Sequence, residues 1–549
     1  MVRVDIVHRE CFTECMATDW PIPAGATGSA RLIRVFAGAA EESAEDCPLL
    51  CAVKARPALR LPRRVSSARD LEGFALGPVM AELDRIEFGE AREKSSRPVH
   101  VGHRRFVEEA VANYLSAASS SPVTPALVPD PKLWVRQVRS DDLYELRAWG
   151  RGYASLDASV RELRLLTFGA AGRRVRDLAQ VAMAAYVVAF GGRADRPRYG
   201  QAHDVQAFPQ PRRVRVVEFG CLGGEPEVLF DGTPEDARVQ YEQYAAPALR
   251  RSVEATERRP GASCKDCSLT GECGALTKSP GILGVDEPNR ARRTVSVTDL
   301  RLHSLCPAKA HFRQLRLPSD KSIENSGAVV RGRAVHAWIE QLHERTPRVQ
   351  CTTGDVPPDP SDWIGGRWSV SGREAERGAA MIAMHAAVCP LRYSDPDSVR
   401  SERQLTVYDP RANAVVIATP DLLYQDRGGW VWREVKTTTY RSPRVGADLM
   451  ETYPQVALAV LILAEGLLGD EPRRSRVELE ILRPGGSDLE LIQPTRPDVI
   501  GRARAIVRQY AGPWHADTTA QARPGDHCDR CEYSRWCPER QLPRAEQEQ

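Results

Sequence analysis

The same cysteine spacing occurs twice in this chain, inside the same surroundings. Cys264, Cys267 and Cys273 follow Arg259-Pro260-Gly261, and Cys528, Cys531 and Cys537 follow Arg523-Pro524-Gly525. About two hundred residues upstream of each C-x2-C-x5-C triplet, a lone cysteine opens a shared context. Cys51 begins Cys51-Ala52-Val53-Lys54-Ala55 and runs on to Leu59-Arg60-Leu61-Pro62. Cys306 begins Cys306-Pro307-Ala308-Lys309-Ala310 and runs on to Leu315-Arg316-Leu317-Pro318. The pattern reads as one module written twice, each copy closing a cysteine quartet from its two ends. Four thiolates that close so long a loop call for a metal centre, whose binding energy adds directly to folding. Tetrathiolate geometry suits zinc and iron–sulfur alike, but zinc sites usually pair two short knuckles, unlike a triplet with one distant partner.

With 549 residues the chain exceeds a single hydrophobic core, so two to four domains are expected. A net charge of +3 advertises no global basic field, so any nucleic-acid groove must be local. Only eight lysines occur, which makes a lysine inside a polar motif informative. The N-terminus lacks a signal pattern and no apolar run reaches the roughly 18 residues of a membrane span. The expectation is therefore a cytoplasmic protein, where clustered thiols hold metal more often than they form disulfides. Of the 14 cysteines, Cys11, Cys15, Cys47, Cys221, Cys351 and Cys389 fall outside the quartets and read as buried small residues or free thiols. A second N-terminal metal site on Cys11, Cys15 and Cys47 is the alternative reading.

Further landmarks repeat in order. Gln180-Val181-Ala182-Met183 and Gln455-Val456-Ala457-Leu458 open Ala-rich, buried-type helices. Upstream, Arg161-Glu162-Leu163-Arg164 and Arg433-Glu434-Val435-Lys436 alternate as strands do. Gly102-His103-Arg104-Arg105-Phe106 and Gly332-Arg333-Ala334-Val335-His336 each open a helical pattern, and strands follow at Val214–Phe219 and Val477–Ile481. The order predicts an α/β chain of two tandem domains, each a mixed sheet flanked by helices. Residues 1–285 form the first, 286–294 the linker (overlapping the Gly/Pro-bearing stretch Gly281–Arg293) and 295–549 the second.

In the second copy, Pro420-Asp421 ends the apolar run Val415-Val416-Ile417-Ala418-Thr419, and a Gly428-Gly429 turn leads into Trp430–Lys436. Alternate strand residues share a face, so Glu434 and Lys436 project together, and a hairpin brings Asp421 alongside. Paired carboxylates suit a hard divalent cation, Mg²⁺ or Mn²⁺. Such an ion polarises a phosphodiester and acidifies a bound water, with Lys436 offsetting the developing charge.

This arrangement resembles the PD-(D/E)XK nuclease superfamily, and within it the RecB-like branch. The branch's Gly-x-x-x-His is matched by Gly332 and His336, its glutamate before the aspartate by Glu402, and its glutamine helix by Gln455. Its usual tyrosine four positions later is Ala459 here, with Tyr453 as a nearby substitute. In the subset that includes AddB-type subunits and CRISPR-associated RecB-like exonucleases, one cysteine before the core and three after it hold a 4Fe-4S cluster. Cys306, Cys528, Cys531 and Cys537 match that layout. The resemblance implies a restriction-endonuclease-like fold, metal ligation by His336, Asp421 and Glu434, and catalytic roles for Lys436 and Gln455.

The first copy keeps its quartet (Cys51, Cys264, Cys267, Cys273) and its helix glutamine, but Phe106 replaces His336 and Arg164 replaces Lys436. No aspartate matches Asp421, since Asp157 lies only five residues before Glu162, although Glu162 and Glu145 remain. Arginine is no substitute for a point-charge ammonium, so this copy reads as catalytically dead. Lys94, Lys278, Lys321 and Lys436 precede Ser or Thr but none follows glycine, so no phosphate-loop motor is encoded. The expected activity is metal-dependent hydrolysis of DNA, single-stranded or at duplex ends, in prokaryotic repair or antiviral defence, with any helicase or defence partner on a separate chain. The alternative is a non-catalytic, iron–sulfur-stabilised DNA-binding scaffold.

Overall fold

The computed structural model describes residues 20–40, 46–65, 70–91, 97–120, 123–394, 396–440, 448–469 and 471–540. Cys11 and Cys15 lie outside them. The chain divides into two compact units, one formed chiefly by residues up to Ala275 and the other chiefly by Leu276 onward.

In the first unit, helix α1 (Val101–Ser120) precedes strands β1 (Leu127–Pro129), β2 (Arg151–Ser155) and β3 (Val160–Thr167). Helix α2 (Leu178–Phe190) then crosses over to β4 (Arg213–Gly220) and β5 (Glu227–Gly232). The sheet runs β1-β2-β3-β4-β5, with β3 and β4 parallel and the other neighbours antiparallel. The α2 helix is apolar nearly all round, as a helix laid between a sheet and further helices must be. Asp177 caps it by accepting from the Ala179 and Gln180 N–H groups. Its Val181–Ala189 stretch is buried with Leu163, Leu165, Val214 and Val216 from the sheet.

The second unit repeats this order. Helices α3 (Gly327–Glu344) and α4 (Gly372–Val388) precede β6 (Arg400–Ser401), β7 (Leu422–Asp426) and β8 (Gly429–Thr437). Helix α5 (Pro454–Ala464) crosses to β9 (Arg476–Arg483), which turns into β10 (Gly486–Ile492). The strand order is β6-β7-β8-β9-β10, with β8 and β9 parallel and the rest antiparallel. The unit cores also share a second motif. Leu32–Phe36 runs parallel to Leu143–Arg147 in the first unit, as Arg293–Ser296 does to Ala414–Ala418 in the second. The expected α/β architecture of mixed sheets with flanking helices is thus present.

The stretch 281–293 is built into the second unit. Ile282 and Leu283 join its core, and the buried Asp409 carboxylate accepts from the Gly281 and Leu283 N–H groups at 2.7 and 3.0 Å. Those apolar side chains and satisfied amides tie down a segment whose glycine and proline content reads as a loop.

Candidate active site and cysteine centres

Strand β8 is central in its sheet and buried on both faces from Val431 to Val435. Its parallel pairing with β9 and the covering helices account for the continuous burial. Because side chains alternate, Glu434 and Lys436 emerge on one face and Arg433 and Val435 on the other. The Lys436 Nζ donates to Glu434 Oε2 at 2.8 Å, to Asp421 Oδ2 at 3.3 Å and to its neighbour's Val435 carbonyl at 2.9 Å. Asp421 sits one residue before β7, and its Oδ2 also accepts the Val435 N–H at 2.6 Å. That bond fixes the aspartate against the edge of β8.

His336, on α3, places Nδ1 3.4 Å from Asp421 Oδ1. Glu402 follows β6 with a left-handed φ of 45°. One ligand atom each from His336, Glu402 and Asp421 lies within 4.8 Å of the others. Glu434 is not in that group. Lys436 holds one of its oxygens and the Trp432 indole N–H the other, at 2.9 Å. The trio that converges is therefore His336, Glu402 and Asp421, where the sequence suggests His336, Asp421 and Glu434. Gln455 lies half-buried in the first turn of α5, and no hydrogen bond among the described residues links it to the carboxylates. Tyr453 packs against the apolar core beside α5, and Ala459 is fully buried there.

Charge in this cleft is strongly unequal. Burial disfavours ionised Asp421, but Lys436 and His336 outweigh it and hold the carboxylate below its ordinary range. Burial and Asp421 together raise Glu434 despite Lys436. Desolvation and the Asp421 charge push the Glu402 carboxyl up to about 8. Lys436, which burial alone would lower, is raised by Asp421 and Glu434, and His336 is raised by Asp421. The cleft measures about 320 Å³ and is floored by His336, Glu340, His343, Glu402 and Asp421. Two carboxylates and an imidazole make a donor set that fits Mg²⁺ or Mn²⁺.

The first unit fills the corresponding place. Tyr153 pairs with Glu162 across β2 and β3. The Arg164 guanidinium lies 3.8 Å from the Tyr153 ring centroid and donates to Glu162 at 2.7 Å, and the Tyr153 hydroxyl meets Tyr114 at 2.6 Å. Phe106 is fully buried near Phe168. Glu145 is part of a separate buried group with His203, Arg34 and Gln137. Burial works against its charge, but the His203 hydrogen bonds prevail and hold its carboxyl down at about 2.

All four predicted thiols of the second unit line one pocket of about 400 Å³. Cys306, between two helices, accepts the Arg523 N–H at 3.5 Å. The first unit contains the same contact, but with a different cysteine: the Arg259 N–H donates to Cys47 Sγ at 3.4 Å. Burial raises the Cys264 and Cys267 thiols, and charge on Cys47 and Cys273 adds to the effect. Cys47, and not Cys51, is thus the thiol that faces the triplet, with Cys51 one helical turn further along. Cys47-Pro48 matches Cys306-Pro307, each proline opening a helix; that dipeptide was the available signal. Both triplets sit on a pair of short 3-10 turns, 262–266 with 270–272 and 526–530 with 534–536.

A further group, His343, Cys351, His385 and Cys389, is buried in the second unit with its ligand atoms within 4.8 Å of one another. From the sequence alone both cysteines read as buried small residues or free thiols; the His385-x3-Cys389 spacing is the one available hint.

Residues 294–538 match the PD-(D/E)XK nuclease superfamily, and this C-terminal region carries that superfamily's restriction-endonuclease-like fold. No curated protein matches the chain. Among solved structures, that of SSO0001 aligns with 45% of this chain and 87% of its own at 16% identity, with a TM-score of 0.22. No helix among the described residues is long and apolar enough to cross a membrane.

Proposed function

We propose that the second unit is a metal-dependent deoxyribonuclease. The observation that carries this reading is the meeting of His336, Glu402 and Asp421 within 4.8 Å, next to a lysine bonded to both Asp421 and Glu434. Mg²⁺ or Mn²⁺ would be held by His336, Glu402 and Asp421, with Glu434 adjoining, and would supply Lewis acidity toward a phosphodiester and toward an attacking water. Lys436 stays charged between its two carboxylates and offsets negative charge that develops on the phosphoryl oxygens. Asp421, locked to the Val435 amide, keeps its second oxygen aimed toward His336. Gln455 contacts the nucleic acid as its helix opens.

The chain is an internal duplication in this reading, supported by the matched strand orders and by the repeated N–H···S contacts to Cys47 and Cys306. Tyr153 and Arg164 close the first site, so the first unit is a degenerate copy that serves as a DNA platform. The quartet Cys306, Cys528, Cys531 and Cys537 holds a 4Fe-4S cluster. In support, those four thiols line one pocket, and the layout of one cysteine before the core and three after it is the one the resemblance associates with such a cluster. Cys47, Cys264, Cys267 and Cys273 form the equivalent centre in the first unit. The substrate is single-stranded DNA or duplex ends, in repair or antiviral defence, alongside a separate motor or defence protein. Digestion of end-labelled single- and double-stranded DNA with Mg²⁺ or Mn²⁺ tests the reading: cleavage by wild type that is lost in Asp421→Ala supports it. Cleavage equal in both proteins rejects it. No cleavage by either would favour the iron–sulfur-stabilised scaffold.

A further inference from the structure

We infer that His343, Cys351, His385 and Cys389 form a closed zinc site that clamps the two helices behind the cleft. The four residues are 2%, 2%, 0% and 1% exposed, and both cysteines are unpaired by any disulfide. The two imidazole Nε2 atoms stand 3.1 Å apart, and His343 Nε2 stands 3.7 Å from Cys389 Sγ. Zinc–nitrogen bonds of about 2.05 Å and zinc–sulfur bonds of about 2.3 Å at tetrahedral angles place such atoms about 3.3 and 3.6 Å apart. These two edges match a tetrahedron around one ion, and all four ligand atoms lie within 4.8 Å of one another.

The outer contacts agree. Glu480, fully buried, is paired with Arg433 and also accepts from His385 Nδ1 at 2.7 Å. A carboxylate bound to the far ring nitrogen is the usual orienting partner of a metal-bound histidine. It also fixes the tautomer so that His385 Nε2 presents a bare lone pair inward. Without a cation, one N–H···N hydrogen bond would pair the two imidazoles, and Cys389 would be left with only weak N–H···S and thiol contacts in the interior. The Cys351 N–H, donating to Cys389 Sγ at 3.4 Å, adds the amide-to-sulfur contact that a coordinated thiolate favours. Mixed imidazole and thiolate donors select zinc over the hard cations suited to the neighbouring carboxylates.

The placement gives the site its role. His343 lies seven residues beyond His336 on α3, His385 is on α4, Cys389 directly follows α4, and Cys351 lies in the segment that follows α3. The ion would join both helix ends to β9 through Glu480, and so hold the helix that carries His336. This assignment rests on the cluster alone and stands whether or not the second unit cleaves DNA.

The test uses the full chain, purified anaerobically. Zinc per chain is measured for wild type and for Cys351→Ala/Cys389→Ala, with zinc-edge X-ray absorption on both. A loss of one zinc per chain, with a difference signal of two nitrogens and two sulfurs, is the expected result. Identical zinc contents, or a Cys351–Cys389 disulfide in the native protein by mass spectrometry, would overturn the assignment. Should the double variant not fold, wild type alone decides: a zinc chelator should release the ion and make Cys351 and Cys389 alkylate faster. Alkylation at a rate the chelator does not change counts against the site. Glu480→Gln should weaken zinc binding about 10- to 100-fold.

Discussion

Tyr153 faces Glu162 across antiparallel strands, at the place where Asp421, one residue beyond the Leu422–Arg433 pair, lies beside Glu434's strand in the second unit. The phenol ring lies against Arg164, so the position that offers an oxygen ligand in one unit is filled with aromatic carbon in the other. Metal-dependent cleavage should accordingly ignore the first unit. Glu162→Ala and Arg164→Ala are expected to leave the rate unchanged, whereas Asp421→Ala or Lys436→Ala should cut it by on the order of a hundredfold or more. Rates on end-labelled DNA check this, and a drop of similar size in Glu162→Ala would reverse the assignment of the two units.

The raised Glu402 carboxyl gives the cleft a pH signature. At about 8 its pKa stands far above the unfolded value near 4.3, so at neutral pH the metal-free group carries a proton that an incoming cation must displace. Mn²⁺ affinity should therefore climb with pH to about 8 and then level off, with proton release on binding. For folding, the sign is opposite. The folded chain holds this proton more tightly, so the group's contribution is full below about pH 4.3 and is lost as pH rises through about 8. Although its carboxyl lines the cleft, the residue as a whole is open to solvent, and screening keeps that contribution small. Calorimetric titration of Mn²⁺ in buffers of different ionisation enthalpy reads both effects, and Glu402→Gln should flatten the profile.

Cys47 and Cys51 make a sharp pair for metal analysis. Both lie at the start of one short helix, but only Cys47 receives the Arg259 amide. Cys47→Ala should remove the first unit's share of bound iron and sulfide, while Cys51→Ala should retain it. Equal loss from both variants, or loss from Cys51→Ala alone, would restore the quartet suggested by the sequence.

The contrast between those two thiols shows what could be read in advance. The repeat was legible because C-x2-C-x5-C is rare and local. The proposed fourth member is Cys47 where the sequence suggests Cys51, because Cys51-Ala52-Val53-Lys54 resembles the later copy more than Cys47-Pro48 does, although the proline marks the helix start. Glu434 and Lys436 were legible as neighbours, since a strand's two-residue period fixes shared faces. The engagement of Glu434 by Trp432 was not, because it depends on rotamers in a packed core. His343, Cys351, His385 and Cys389 come from two helices and the segments after them, and only packing of α3 against α4 gathers them. Ala459 explains itself once seen: the site is filled by its own core, with no room for a tyrosine ring.

Arg433 is the buried charge on which the far face of β8 depends. It is fully buried, bonds Glu478 and Glu480 from the neighbouring strand, and also donates to the Val388 carbonyl at 2.7 Å. Burial disfavours its charge, but Glu480, Tyr424 and Glu478 raise its pKa well above the ordinary value. Removing it leaves Glu480 only His385, and Glu478 only Arg476 and Tyr424, as partners, and breaking such a buried network from one side costs up to about 3–5 kcal/mol. Arg433→Met should therefore lower the stability of the second unit by about that amount, seen as an earlier transition in chemical denaturation. Arg433→Met/Glu478→Gln should recover part of the loss, because one of the uncompensated charges is gone. A single variant as stable as wild type would mean that the two glutamates take up protons or water at little cost, and that this network does not hold the strand carrying Glu434 and Lys436.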